Sequence, residues 1–309
     1  MAENSALICD KVDPILPKIL KDNGIRVTYE PEITPEALLE AAPAHTIIVV
    51  RSRTRVTSEV IARAASCRIV ARVGVGLDNI DTAACKERDI RVLNAVEGAM
   101  NAVAELVLGL MLSMARQIPR ADAAVRDGRW IKKELVGSEL RGKYLGIVGM
   151  GNIGKRLARL ARALNMNIIG YDVVPIDTEL SREVGLVKAD LDTLFQSSDY
   201  VSLHVPLLDS TKNLVDARRL ALMKPTARLI NTSRGGIVDE VALHEALSSG
   251  RLAGAALDVF EVEPATASRL RELDGMVLTP HIGAQTAEAQ GLAANVIGEK
   301  IVQAVRGVI

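Results

Sequence analysis

Aromatic side chains are scarce: two Phe, four Tyr and one Trp make up 2% of 309 residues. A core with so few rings must be filled by Ala, Val, Leu and Ile, and 49% hydrophobic against 25% charged residues is ample for a sizeable interior. Cysteine is scarce too. Cys9, Cys67 and Cys85 are odd in number, far apart and form no CxxC pair. This excludes a disulfide framework and a zinc site, so no metal is expected, and reduced thiols fit a cytoplasmic protein. Neither sign of charge is in excess. With 38 Lys plus Arg against 38 Asp plus Glu, nothing in the bulk charge favours nucleic acid or an anionic membrane as partner. Long hydrophobic runs are lacking as well: Leu106–Ala115 is about half the ~20 residues a membrane-crossing helix needs. In MAENSALICDK, charges on both sides of a short apolar run fit neither a signal peptide nor an anchor.

What the chain does contain is alternation. Short β-branched runs (ALICD, RVTYE, TIIVV, RIVAR, IRVLN) are separated by helical stretches starting near Pro14, Thr34, Thr57 and Asp81. A second series runs through YLGIVG, NIIGYD, YVSLHV, ARLINTS and AGAALDVF. This rhythm predicts an α/β fold of two Rossmann-like or flavodoxin-like domains with parallel sheets. Residues 100–117 form an apolar helix expected to be buried between domains or against another subunit. The final stretch, from TAEAQ onward, reads as one long helix with no strand after it. It is expected to return to the first domain, so that the second domain is inserted into the first. The boundaries are 1–98 with 285–309 for one domain and 99–284 for the other.

The sharpest motif is GMGNIG. Gly149, Gly151 and Gly154 follow the strand Leu145–Val148 and open a helix. The first glycine permits a tight turn, the second lets backbone approach a pyrophosphate, and the third lets the helix lie close to the strand. The helix N-terminus then offers its N–H groups to phosphate. Asp172 lies about 18 residues past Gly154, near the ~20 expected for a carboxylate that accepts both ribose hydroxyls and repels a 2′-phosphate. The cofactor read from these residues is NAD, and residues 99–284 are its domain.

Hydride transfer also needs a substrate anchor and a group to handle the hydroxyl proton. Arg234, in NTSRGG, sits at the carboxyl edge of a strand and can fork onto a carboxylate. Asp258, Glu261 and Glu263 follow another strand, and His281 stands in LTPHIGA. An imidazole titrates near neutrality and suits acid–base work, and Glu263 could hold its other ring nitrogen. The alternative for His281 is a ring that only bonds backbone. Of the other histidines, His45 reads as loop, His244 as surface helix, and His204 as either a hydrogen-bonding or a catalytic residue.

GMGNIG, NTSRGGIVDE, AGAALDVFEVEP and LTPHIGA, in this order and spacing, resemble the D-isomer-specific 2-hydroxyacid dehydrogenases over nearly the whole chain. RVGVGLDNID, ARQIP, DGRW and GSELRGKYLGIVGMG are especially similar to the members that oxidise 3-phosphoglycerate. The resemblance implies Arg234 as carboxylate anchor, Glu263 as partner of the histidine and His281 as acid–base residue. It implies that Asn152, Ile153, Asp172, Val205, Thr232, Ser233 and Asp258 line the cofactor, with His281 and Gly283 near the nicotinamide. The loop Val73, Gly74, Val75 and Gly76 would present backbone N–H groups to the substrate carboxylate, where an ordinary turn is the alternative. Arg51 would face the substrate; otherwise Arg51, Arg53 and Arg55 form a solvated edge. Lys132 would reach the substrate phosphate from a neighbouring subunit. The partners implied are a small 2-hydroxy acid and a second copy of the chain in a homodimer, with residues 1–98 and 285–309 as the substrate-binding domain. Ala99 stands where the family is often polar.

Overall fold

The computed structural model describes residues 4–308. The chain divides into two units, Met1–Met100 with Ala284–Ile309, and Asn101–Gly283. The first unit carries five strands, β1 (Ser5–Ile8), β2 (Arg26–Tyr29), β3 (Ile47–Val50), β4 (Ile69–Arg72) and β5 (Arg91–Asn94). They pair in parallel in the order β2-β1-β3-β4-β5. Their sequences explain this arrangement. Every residue of β1 (SALI) and β3 (IIVV) is buried, as expected for strands covered by helices on both faces.

Between the strands run α1 (Ile15–Asp22), α2 (Pro35–Ala41), α3 (Ser58–Arg63) and α4 (Thr82–Glu87). The last three start where the sequence supplies a cap: Thr34, Thr57 and Asp81 accept from the backbone N–H three residues on.

The second unit carries α5 (Met100–Arg116), whose first residue is the last of the first unit, and α6 (Ile118–Arg126), followed by a seven-stranded parallel sheet. In chain order its elements are β6 (Tyr144–Val148), α7 (Asn152–Ala163), β7 (Asn167–Tyr171), α8 (Thr178–Val184), β8 (Val187–Lys188), α9 (Leu191–Ser197), β9 (Tyr200–Leu203), α10 (Ala217–Leu222), β10 (Arg228–Asn231), α11 (Glu240–Ser248), β11 (Gly254–Leu257) and β12 (Met276–Leu278). The strand order is β12-β11-β10-β9-β6-β7-β8. The order reverses between β6 and β9, and a reversal of this kind opens a crevice at the strands' carboxyl ends where ligands bind. Two of these strands, β8 and β12, are absent from the sequence reading. At two and three residues they are too short to show a period and exist because a longer neighbour pairs with them.

The apolar helix α5 packs on this sheet: Ala104, Val107, Leu110, Met111 and Met114 join Ile147, Ile230 and Ala256 in one core cluster. The second domain is inserted in the first, because α12 (Ala287–Val305) adds Ala293, Ala294, Ile297 and Ile301 to the core of the first unit. Two close approaches show how tightly α12 is held there. A Cβ on Gly298 would stand 3.0 Å from Ile19, and one on Gly98 would stand 2.7 Å from Ala293 Cβ. No single helix among the described residues is long and apolar enough to cross a membrane.

Candidate active site

The glycine turn lies at the carboxyl end of β6, beside the sheet's reversal. Gly149 has φ +96° and a Cβ there would come 2.6 Å from His204 O, so only glycine fits. A Cβ on Gly154 would lie 2.2 Å from Gly149 O, whereas Gly151 has nothing within 4 Å of that position. The turn is therefore packed beneath and open above. Eight helices, α2 to α4 and α8 to α12, begin with a side-chain cap, but α7, which starts from this turn, has none. Asp172 stands beside the turn, its Oδ2 accepting from Met150 N at 2.6 Å and its Oδ1 from Val174 N at 3.1 Å. Val205 packs against the same glycine, with Cγ1 3.1 Å from the built Cβ of Gly149. Two buried atoms at neighbouring strand ends, His204 Nδ1 and Thr232 Oγ1, have no partner among the described residues. A bare helix start, an open glycine and unmet polar atoms fit a dinucleotide. Gly149, Gly151, Asn152, Ile153, Gly154, Asp172, Val205, Thr232, Ser233, Asp258 and Gly283 are the residues that would hold it.

The imidazole of His204 accounts for one of these atoms. Its Nε2 meets Ser202 Oγ at 2.9 Å, and burial pushes its pKa down from 6.5 to about 4. The ring is neutral in the folded chain, while in the unfolded chain it titrates near 6.5. Stability from this group is thus complete above about pH 6.5 and is lost as pH falls toward 4, by up to about 3 kcal/mol. The urea midpoint is expected to drop between pH 7 and pH 4.5, and to drop distinctly less in His204→Asn. An equal drop in both proteins would count against the buried neutral ring. His45 lies in the loop before β3, as read, and is buried there between Thr28 Oγ1 and Ala41 O. His244 lies on α11 near Ser248.

The remaining candidates sit on the loops after β10, β11 and β12. Asn231, buried at the end of β10, accepts from Ser233 N and Oγ through its Oδ1 and donates from Nδ2 to Arg234 O. This Asx-type turn presents Arg234, whose Nη1 donates to Ser233 O at 2.6 Å. After β11, the Phe260 N–H donates to Glu263 Oε1, and Glu263 Oε2 lies 2.8 Å from His281 Nδ1. The two loops touch: a Cβ on Gly235 would fall 1.8 Å from Phe260 O.

Asp258 is wholly buried and gathers the third loop. Thr279 Oγ1 and Ile282 N donate to its Oδ1, Gly283 N donates to its Oδ2, and His281 N donates to its carbonyl. His281 itself has φ +54°, uncommon for a non-glycine residue, and these bonds hold it there. With Nδ1 given to Glu263, Nε2 is the acceptor and has no protein partner among the described residues. The sequence pointed to Arg234, Glu263 and His281. It did not single out Asn231 or Thr279, whose only signal is a small polar residue at a strand end.

In the first unit, Arg51, Val73 and Gly74 line a pocket with Val12, Asp13, Ala95, Gly98 and Gln290. The amides of Val73 and Gly74 are already used, by Val50 O and Arg72 O. Those of Val75 and Gly76 have no partner among the described residues, so the loop offers two donors rather than four. The arginines are not one solvated edge. Arg53 pairs with buried Asp10 and donates to Cys9, Pro31 and Ile33 carbonyls. The Arg51 backbone N–H donates to Asp10 Oδ2, and its guanidinium meets neutral oxygens, Lys11 O at 3.3 Å and Gln285 Oε1 at 3.5 Å. Lys132 is exposed on a short turn beside Trp130. Among the described residues no cluster of His, Cys, Asp or Glu could hold a metal.

Residues 108–283 match the D-isomer specific 2-hydroxyacid dehydrogenase, NAD binding domain. The chain is 44% identical to the hydroxypyruvate reductase of Thermotoga maritima, over 97% of this chain and 98% of that protein. It is 43% identical to the D-3-phosphoglycerate dehydrogenase of Methanocaldococcus jannaschii, over 97% of this chain but 57% of that longer protein. Among solved structures, the TT0316 protein of Thermus thermophilus superposes with a TM-score of 0.90 at 33% identity, covering 98% of this chain and 97% of that one. The chain belongs to the D-isomer specific 2-hydroxyacid dehydrogenase family and is an NAD-dependent D-2-hydroxyacid dehydrogenase.

Proposed function

We propose that the protein oxidises D-3-phosphoglycerate to 3-phosphohydroxypyruvate, the first step of serine synthesis, with His281 as acid–base residue, Glu263 as its partner and Arg234 as carboxylate anchor. Bound NAD supplies the hydride acceptor for the hydrogen on C2. His281 Nε2 takes the hydroxyl proton, and the Glu263 carboxylate on Nδ1 stabilises the imidazolium that results. Arg234 forks onto the substrate carboxylate. The observation that carries the chemistry is the 2.8 Å His281–Glu263 contact with Nε2 left open.

The choice of a phosphorylated acid is supported by Arg51, which lines a pocket together with Asp13 and whose guanidinium bonds only to the neutral Lys11 O and Gln285 Oε1, so that a phosphate is a fitting anion for it. A second reading, reduction of hydroxypyruvate, is supported by the near full-length match to the Thermotoga maritima hydroxypyruvate reductase. Steady-state kcat/KM for 3-phosphoglycerate, D-glycerate, hydroxypyruvate and glyoxylate at one pH separates the two. Loss of phosphate discrimination in Arg51→Ala would support the first, and no turnover of the phosphorylated acid would end it.

Asp172 sets the cofactor preference on this reading. A 2′-phosphate beside that carboxylate costs several kcal/mol, so NAD should be preferred over NADP by about 10²-fold or more in kcat/KM. Asp172→Ser is expected to narrow that ratio at least tenfold, mainly through the KM for NAD.

We further propose a homodimer. Leu112 on α5, Ile118 and Val125 on α6, and Trp130 and Val136 just beyond are all exposed, Trp130 to 82% and Val136 to 83%, and a second copy would cover them. Light scattering should give about twice the 33.1 kDa chain mass. A dimer would also supply Lys132 from the second copy to the substrate phosphate, whereas a monomer would remove that role.

A further inference from the structure

Two carboxylates outside the dyad, Glu240 and Glu261, bond each other's backbone. The Glu261 N–H donates to Glu240 Oε1 at 2.7 Å, the Glu240 N–H donates to Glu261 Oε1 at 3.3 Å, and Ser268 Oγ donates to Glu240 Oε2 at 3.4 Å. Glu240 opens α11, six residues after Arg234, and Glu261 stands two residues before Glu263. Helix capping does not explain this use of Glu240. Asp239 already caps α11 by accepting from Val241 N and Ala242 N. The arrangement also carries an electrostatic penalty, because burial and the neighbouring Glu261 lift the Glu240 carboxyl above its usual range. A like-charge pair is retained here at the seam where Gly235 packs against the Phe260–Glu261 peptide.

We propose that Glu240 is a positioning residue whose reciprocal clamp with Glu261 locks the Phe260–Glu263 loop to the start of α11, and thereby holds Glu263 in place to orient His281. The proposal rests on the assignment of His281 and Glu263 to proton transfer. The path is continuous: Glu240 fixes the Glu261 amide, the Phe260 amide fixes Glu263 Oε1, and Glu263 Oε2 receives His281 Nδ1. The same clamp joins the Arg234 loop, through α11, to the loop that carries the dyad's carboxylate. Without it Glu263 keeps its chemistry and loses its fixed position, and small displacements of catalytic groups cost up to about 10²-fold in rate.

The test uses the full chain as Glu240→Ala and Glu240→Gln, each alone and combined with Glu263→Gln. Amide exchange in peptides spanning 258–263 is measured without substrate, together with kcat for hydroxypyruvate reduction at saturating NADH and NADH affinity by its fluorescence. Glu240→Ala should raise exchange in that segment and lower kcat about tenfold with NADH affinity held within about twofold. Glu240→Gln, whose amide oxygen still accepts from Glu261, should restore most of both. In the Glu263→Gln background, Glu240→Ala should add less than about twofold, since the two act in series. Unchanged exchange, full additivity with Glu263→Gln, or a Glu240→Gln variant as impaired as Glu240→Ala would each overturn the proposal. A wild-type chain that turns over no 2-hydroxy or 2-oxo acid would instead remove the assignment of the dyad, and the exchange result would still decide the clamp.

Discussion

Replacement of His281 by Asn is expected to lower kcat by about 10²- to 10⁴-fold in either direction of the reaction, with NADH binding unchanged by fluorescence titration. Asn keeps a polar group near Glu263 Oε2, so the loop is disturbed little, but nothing then takes the hydroxyl proton at the position of Nε2. Hydride departure from C2 leaves a protonated carbonyl unless that proton moves, so the barrier rises in the chemical step. The effect should therefore fall on kcat and on kcat/KM together, with the KM for NAD little altered. Glu263→Gln should show a smaller loss, because Gln still accepts from Nδ1 through its amide oxygen but supplies no charge to the imidazolium. A His281→Asn enzyme within threefold of wild type would show that the 2.8 Å contact serves structure alone.

The contact between these two residues was legible in the sequence because each follows a strand, in a loop at the carboxyl edge, whereas their roles were assigned only from the resemblance. The glycine turn was legible for a related reason. Gly149 must turn at φ +96° and Gly154 lies against Gly149 O, and such needs within one βα unit leave a fixed spacing. The parts that escaped depend on partners distant in sequence. β12 is three residues that become a strand only by pairing with β11. Arg53 and Arg51 look alike in VVRSRTR, yet Arg53 pairs with buried Asp10 through its guanidinium and Arg51 through its backbone N–H alone, a division decided by the fold that brings Asp10 from more than forty residues earlier. Val73 loses its amide to Val50 O on the neighbouring strand, a partner that no motif records. Glu240 reads as an ordinary acidic residue in a helix's first turn until the fold sets Glu261 against it.

Asp258→Asn is expected to lower kcat by at least about 10²-fold and the unfolding temperature by several degrees, although the exchange is isosteric. The carboxylate is an acceptor at both oxygens, taking Thr279 Oγ1 and Ile282 N on one and Gly283 N on the other. An Asn can satisfy one side only. Its amide then turns two donors toward the other, in a site with no solvent access to relieve them, and an unsatisfied buried donor costs about 1–3 kcal/mol. That penalty falls on the loop that holds His281 at φ +54°, a conformation that itself costs of order 1–3 kcal/mol and persists only where the surroundings impose it. Relaxation of the loop toward ordinary backbone angles would carry the imidazole away from Glu263 Oε2. The resemblance to relatives implies that Asp258 also lines the cofactor, and the two roles predict different kinetics. If contact with the cofactor dominated, the variant would bind NADH weakly and recover its kcat at saturation. If the carboxylate acts chiefly by holding the His281 loop, kcat stays low however much NADH is supplied, and the loss in the Asp258→Asn, His281→Asn double variant is scarcely larger than in His281→Asn alone.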